Sequence, residues 1–309
     1  MPEEYPGIVI VGPTASGKSQ LGIQLAKRYN GEIVSCDALQ FYRHMDIGTA
    51  KVTITERGDV PHHMLDILNP DEEFSAGAYQ KAARKTLDEI RCRGCIPFVV
   101  GGTGFYLRAL LEGLFDGPSR DDALRLRMRK IIERKGPETL HRALQNIDPQ
   151  SAARIEKTDG DRIIRAYEMH LISGRPISWW QQQPRNTLHG YRWLKIGIDI
   201  PRPVLYERID DRVDTMFREG LLDEVRMLLG QFPKNAPAFK AIGYRQIIDY
   251  LDGKISLEHT VEETKKESRR YAKRQMTWFR RDPEIIWIEY KNYSDDLYYA
   301  TGALIEKFL

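Results

Sequence analysis

Cysteine is scarce in this chain: Cys36, Cys92 and Cys95 are the three among 309 residues. That excludes a disulfide-stapled framework and fits a reducing compartment. Cys92-Arg93-Gly94-Cys95 has the spacing of a zinc half-site, but no second Cys or His pair completes it. These read as ordinary thiols near a helix end. Excess charge is equally small. A formal net charge of +3 does not by itself imply a polyanion partner, and what matters is that basic residues concentrate late in the chain. Long apolar runs are missing too. Met1 to Gly7 carry Glu3 and Glu4 and no apolar signal-peptide core, and no uninterrupted apolar stretch could span a bilayer. The expectation is a cytoplasmic protein with no membrane partner. An apolar fraction of 41% suffices for a substantial core in one large domain or two modest ones.

What is present is organised around residues 8–25. Ile8, Val9, Ile10 and Val11 read as a buried strand. Gly12-Pro13-Thr14-Ala15-Ser16-Gly17-Lys18-Ser19 then fits G-x-x-x-x-G-K-[ST], and Leu21 and Leu25 follow at helical spacing. Strand, glycine loop and helix are the context that a phosphate-binding P-loop needs. Gly12 and Gly17 let the backbone turn so that its N–H groups point at phosphate oxygens. The helix N-terminus adds a partial positive charge and Lys18 a full one. The Ser19 hydroxyl suits Mg²⁺, which prefers oxygen ligands and shares them with phosphates. The loop says that a phosphate chain binds, not whose.

Glu32 to Ser35 reads as a second strand, delivering Asp37-Ala38-Leu39-Gln40. Ligands of open α/β sheets sit at the carboxyl ends of strands, so Asp37 lands beside the phosphate loop. A helix N-cap is the alternative use for it. Asp46 to Lys51 reads as a loop. His62 and His63 in an extended segment point to opposite sides, a poor metal pair with packing and hydrogen-bonding roles. Phe74 to Arg93 has helical pattern with Ala78, Ala82, Leu87 and Ile90 apolar. Ile96 to Val100 is the next buried strand, ending in Gly101-Gly102-Thr103. An ATPase would place a Walker-B aspartate there, and a GTPase would carry Asn-Lys-x-Asp elsewhere; neither is found.

Gly117-Pro118 marks a boundary. From Asp121 to about Trp180 the pattern is wholly helical, with Ile163, Tyr167 and Leu171 on one stripe of the segment Asp159 to Ser173. Arg125, Arg127, Arg129, Arg162 and Arg165 are candidate phosphate contacts or simply a solvated face. Strand pattern returns at Trp193 to Ile200. Arg202 to Arg218 is amphipathic through Leu205, Ile209, Val213 and Phe217. A last long helix, Leu257 to Arg281, interleaves eight Lys and Arg residues with Tyr271, Trp278 and Phe279. Cations attract phosphates and aromatics stack on splayed bases, though the aromatics can equally belong to the core.

Taken in order, these motifs resemble the tRNA dimethylallyltransferases, the isopentenylpyrophosphate:tRNA transferase family. The resemblance rests on Gly12 to Ser19, Ser35-x-Asp37 through Tyr42, Asp46 to Lys51, Pro61-His62-His63 and Val100 to Thr103. It continues through Ser151 to Ile155, Asp161 to Ala166, Gly243 to Gln246 and Ala272 to Arg280. It covers nearly the whole chain, without the C-terminal zinc finger of some eukaryotic members, so the chain looks like the compact bacterial type. Several relatives carry Asp-Ser where Asp37-Ala38 stands here. That neighbour is therefore not needed for the chemistry, or its role has moved.

The resemblance implies an α/β fold. A P-loop NTPase-like parallel sheet core flanked by helices, residues 1–117 and 193–309, would carry an all-helical, tRNA-binding insertion at 118–192. It implies transfer of a dimethylallyl group from dimethylallyl diphosphate to N6 of adenine 37 of tRNA, with Mg²⁺ as cofactor. The P-loop would then hold a prenyl diphosphate in place of ATP, which accounts for the missing Walker-B acid. Lys18, the loop amides, Ser19 through Mg²⁺ and Arg245 would stabilise the departing diphosphate. Thr103 would donate to the bridging oxygen, and Asp37 would take the proton from N6. Asp37, Ala38, Leu39, Gln40 and Thr103 would meet the acceptor adenine. Arg125, Asp161, Arg162, Arg165, Lys240, Gly243, Tyr244 and Arg245 would line the path of the anticodon stem-loop. The enzyme is expected to act as a monomer. On the residues alone, a P-loop kinase for a small metabolite, a prenyltransferase for free adenine nucleotides and a non-catalytic RNA-binding ATPase module remain alternatives. The basic last helix and the arginine-bearing insertion favour a large RNA.

Overall fold

The structure, a computed structural model, describes residues 4–290 and 294–309. Met1 to Glu3, part of the stretch read above for a leader, lie outside the described residues. Six strands form one parallel sheet: β1 (Tyr5–Val11), β2 (Gly31–Ser35), β3 (His62–His63), β4 (Ile96–Gly101), β5 (Tyr191–Asp199) and β6 (Ile286–Glu289). Their order is β3-β2-β4-β1-β5-β6. β6 is a strand that the sequence pattern does not single out, because its four residues are all partly or fully exposed at the sheet edge.

Helices cover both faces, so the inner strands read as continuous β-branched runs instead of alternating ones. Along β1, successive side chains still point to opposite faces. Ile8 and Ile10 join one core with Leu21, Leu25, Leu205, Ile209 and Ile305. Val9 and Val11 join the other with Tyr79, Ala83, Leu87 and Leu110. The helix Ala76–Cys92 therefore buries Tyr79, Ala83, Leu87 and Ile90. The expected stripe is turned by one residue in its first half, since Tyr79 outweighs the neighbouring alanine in apolar area.

Parallel strands end on the same edge, and the register aligns three of those ends. Val11 sits opposite Gly101, and Ser35 opposite Val100. The loops after β1, β2 and β4 thus emerge side by side. A third cluster, centred on Phe239, Tyr244 and Ile247, packs with Tyr42 and Met45.

The chain divides into two compact units, residues 1–111 with 188–309, and residues 112–187. Their boundaries fall at Leu111/Glu112 and Thr187/Leu188. The Leu188 N–H donates to the Leu111 carbonyl (3.0 Å), pairing the two chain ends of the larger unit. The smaller unit is helical, with Leu144, Ile163, Ala166 and Met169 at its centre. Leu171, expected on that stripe, is half exposed, because the inward face runs through Ile163, Ala166, Tyr167 and Met169. Among the described residues no helix is long and apolar enough to cross a membrane.

Candidate active site

The loop after β1, residues 12–17, turns tightly from the strand into a helix. Gly17 takes φ 83°, a left-handed conformation that suits glycine, and Lys18 opens the helix Lys18–Arg28. The Lys18 ammonium is buried and donates to the Pro13 carbonyl (3.2 Å). Burial pushes it down to about 8; Asp37 pulls it up and Arg212 pushes it further down. The Ser16 hydroxyl is buried without a hydrogen-bond partner among the described residues. Ser19 is half-buried on the first turn of the helix.

Asp37 follows β2 in a turn, not at a helix cap: its Oδ1 accepts from the Leu39 N–H (3.0 Å). The Thr103 hydroxyl accepts from the Ala38 N–H (3.1 Å), and the Thr103 N–H donates to the Cys36 carbonyl (3.1 Å). Asp37 and Thr103, far apart in sequence, are thereby locked to one another's loops. Gly101 is required for this approach, since a Cβ there would lie 2.1 Å from the Cys36 oxygen. Gln40 accepts from the Ser35 hydroxyl (3.1 Å). Asp37, Ala38 and Leu39 face a pocket of about 390 Å³ whose walls also include Thr14, Arg212, Lys240, Gly243, Arg245 and Tyr271.

Three residues of this site, Arg208, Arg212 and Glu224, escape the sequence reading. Arg212 and Arg208 come from the helix Arg202–Arg218. Arg212 donates to the Thr49 carbonyl (3.3 Å); burial pulls its guanidinium down and the Asp37 charge pulls it up. Arg208 reaches within 3.6 Å of where a Gly17 Cβ would sit, and its Nη1 is buried without a partner among the described residues. Both cations adjoin the glycine loop, and Arg245 is exposed where it borders the pocket. Tyr271 hydrogen-bonds Thr103, and burial and the Asp37 charge push its phenol well up. Glu224 accepts from the N–H groups of Asp46 (2.9 Å), Ile47 (2.7 Å) and Gly48 (3.2 Å), which explains the loop Asp46 to Lys51. Lys51 closes that loop on Asp46 and Asp66, both at 2.6 Å.

Several expected RNA contacts have other work. Tyr244 is fully buried and donates its hydroxyl to Glu224, so its side chain cannot meet an RNA and belongs to the core. Arg125 clasps the buried Glu168 through two hydrogen bonds of 2.8 and 2.9 Å. Arg165 also donates to Glu168 and to the Pro118 carbonyl (3.0 Å). Arg162 and Asp161 are exposed; Arg162 pairs with Asp159 at 3.4 Å and Asp161 with Arg129 at 3.8 Å. On the helix Leu257–Phe279, Lys265 and Arg269 pair with Asp214 and Asp210, while Lys273 and Arg274 are exposed without an ion pair among the described residues. Its aromatics divide: Phe279 is buried, whereas Trp278 is exposed edge-on to Phe105.

The histidine pair forms no metal site. His62 bonds the Val60 carbonyl (2.8 Å) and His63 bonds Glu32 (2.6 Å). Cys92 and Cys95 are free thiols. Among the described residues no group of three His, Cys, Asp or Glu side chains could hold a metal.

The IPP transferase family model matches residues 40–282, and the isopentenyl transferase model matches residues 7–60. A tRNA dimethylallyltransferase from Koribacter versatilis (strain Ellin345) is 48% identical over 288 residues, 93% of each chain. One from Solibacter usitatus (strain Ellin6076) is 44% identical over 98% of this chain and 99% of its own. Among solved structures, the full-length tRNA isopentenylpyrophosphate transferase from Bacillus halodurans superposes with a TM-score of 0.74 at 40% identity, covering 99% of this chain and 96% of that one.

Proposed function

The chain belongs to the IPP transferase family, and from that premise we propose how its pocket performs the family's reaction. It is a prenyltransferase that places a dimethylallyl group on tRNA. The donor is dimethylallyl diphosphate and the acceptor is N6 of adenine 37, beside the anticodon. N6 attacks the allylic carbon, the C–N bond forms as the C–O bond breaks, and diphosphate departs.

The observation that supports this reading is that Asp37 and Arg212 line one pocket with Thr14 of the glycine loop, while the buried Lys18 lies within the electrostatic reach of both. Negative charge grows on the leaving diphosphate, so preorganised cations and N–H donors stabilise the transition state most. Lys18, Arg212, Arg208 and the loop amides supply them, with the orphaned Ser16 hydroxyl beside them. Arg245 meets the RNA at the rim. N6 gains positive charge on alkylation and must lose a proton, which Asp37 accepts; such help is worth about 10²–10⁴-fold. Thr103, accepting from Ala38 and hydrogen-bonded to Tyr271, turns its proton to the bridging oxygen when the donor is bound. The adenine leaves its stack to enter the pocket, as bases do in enzymes that modify them. Ser19 would offer a protein oxygen to Mg²⁺, a hard cation that suits hydroxyl and phosphate oxygens. Bound there, the ion would add to the neutralisation of the diphosphate charge.

Incubation with radiolabelled dimethylallyl diphosphate, Mg²⁺ and unmodified tRNA tests the reading, with AMP as parallel acceptor. Label in tRNA, lost when adenine 37 is replaced by guanine, is expected. Label in AMP alone, or ATP hydrolysis without transfer, overturns it.

A further inference from the structure

Gln275 is a polar residue in the buried stripe of the helix Leu257–Phe279, between Ala272 and Phe279. Its carboxamide joins two loops of the site. Oε1 accepts from the Thr14 N–H of the phosphate loop (2.8 Å), and Nε2 donates to the Gly102 carbonyl (2.9 Å), next to Thr103. The approach is tight: a Cβ on Gly102 would lie 2.2 Å from Nε2. A carboxamide supplies an acceptor and a donor at these two points at once, whatever the pH.

We infer that Gln275 is a positioning residue that sets the spacing between the diphosphate loop and the Thr103 turn. The inference rests on the proposed prenyl-transfer reading. Under that reading the leaving group is held by one loop and the acceptor side by the other. Reaction requires the two reacting atoms at near-attack distance, so the spacing of these loops governs the rate. The Thr14 amide is committed to Gln275, which leaves the later N–H groups of the loop for a phosphate oxygen.

Two variants separate hydrogen bonding from packing. Gln275→Ala removes the side chain; Gln275→Met fills nearly the same volume and carries neither an N–H donor nor a carbonyl acceptor. Both should weaken binding of inorganic pyrophosphate with Mg²⁺ about tenfold and raise KM for dimethylallyl diphosphate comparably, with kcat lowered. KM for tRNA should stay within about twofold. A Met variant that matches wild type reduces the role to packing and overturns the inference, as does an equal rise in both KM values. Hydrogen exchange in the wild-type protein decides the matter without a variant. The Thr14 amide should be protected before pyrophosphate is added; protection that appears only with pyrophosphate contradicts the assignment. If wild type transfers no prenyl group, the functional reading fails, while pyrophosphate binding and exchange still judge Gln275.

Discussion

Lys18 is the residue whose environment most directly sets a measurable pH dependence. Buried, and beside Arg212, it holds its proton only up to about pH 8, with Asp37 as the opposing attraction. Under the proposed function the charged form is the one that meets diphosphate. kcat/KM for the donor should therefore fall as pH rises through about 8, since that ratio reports the free enzyme. Lys18→Arg should be slower but lack this limb, because a guanidinium does not titrate in that range. A limb that persists unchanged in Lys18→Arg would assign it to another group. The effect on folding has the opposite sense. The lowered value is a cost at neutral pH, relieved between about 8 and the ordinary lysine value, where the unfolded chain binds more protons.

At the scale of elements, the helical unit hangs on one buried carboxylate. Burial alone would raise Glu168, but hydrogen bonds from Arg125, the Asp121 backbone and Arg165 hold it at about 2. Removing one partner of a buried ion pair leaves the others uncompensated, so Glu168→Ala should cost about 3–5 kcal/mol, read as a lowered urea midpoint. A loss under about 1 kcal/mol would mean that the arginines repair themselves in solvent. The depressed carboxyl stabilises fully above the ordinary glutamate range, and its contribution is lost as pH falls through about 2. The same cluster explains what the sequence hides. A run of arginines on a helix reads as a phosphate track, and nothing local shows that Arg125 and Arg165 turn inward to Glu168. Local spacing did expose the phosphate loop, because strand, glycines and helix are contiguous. Asp37 and Thr103 were legible as strand-end residues. Arg212, Glu224 and Gln275 were not, since each acts on a segment remote in sequence. A signal existed nonetheless. Glu224 lies among the buried residues Leu221, Val225 and Leu228, and Gln275 lies between Ala272 and Phe279. A lone polar group in an apolar stripe demands a buried partner.

Across the whole molecule, the proposed function has RNA affinity and chemistry draw on different groups. A net charge of +3 leaves no dominant field, and many cations of the last long helix are spent on neighbouring carboxylates. Affinity for a large anion then comes from dispersed contacts, each neutralised phosphate adding about 0.7–0.9 to the salt slope. The proposed proton acceptor is a single carboxylate, Asp37, just past the end of β2. The sharpest test is the single-turnover rate of Asp37→Asn with saturating prenyl donor, measured alongside its tRNA dissociation constant. Loss of the general base predicts a rate about 10²–10⁴-fold lower with tRNA affinity within a few-fold of wild type. An unchanged single-turnover rate accompanied by a large loss of tRNA binding would contradict the account, making Asp37 a recognition residue and leaving the proton to another group.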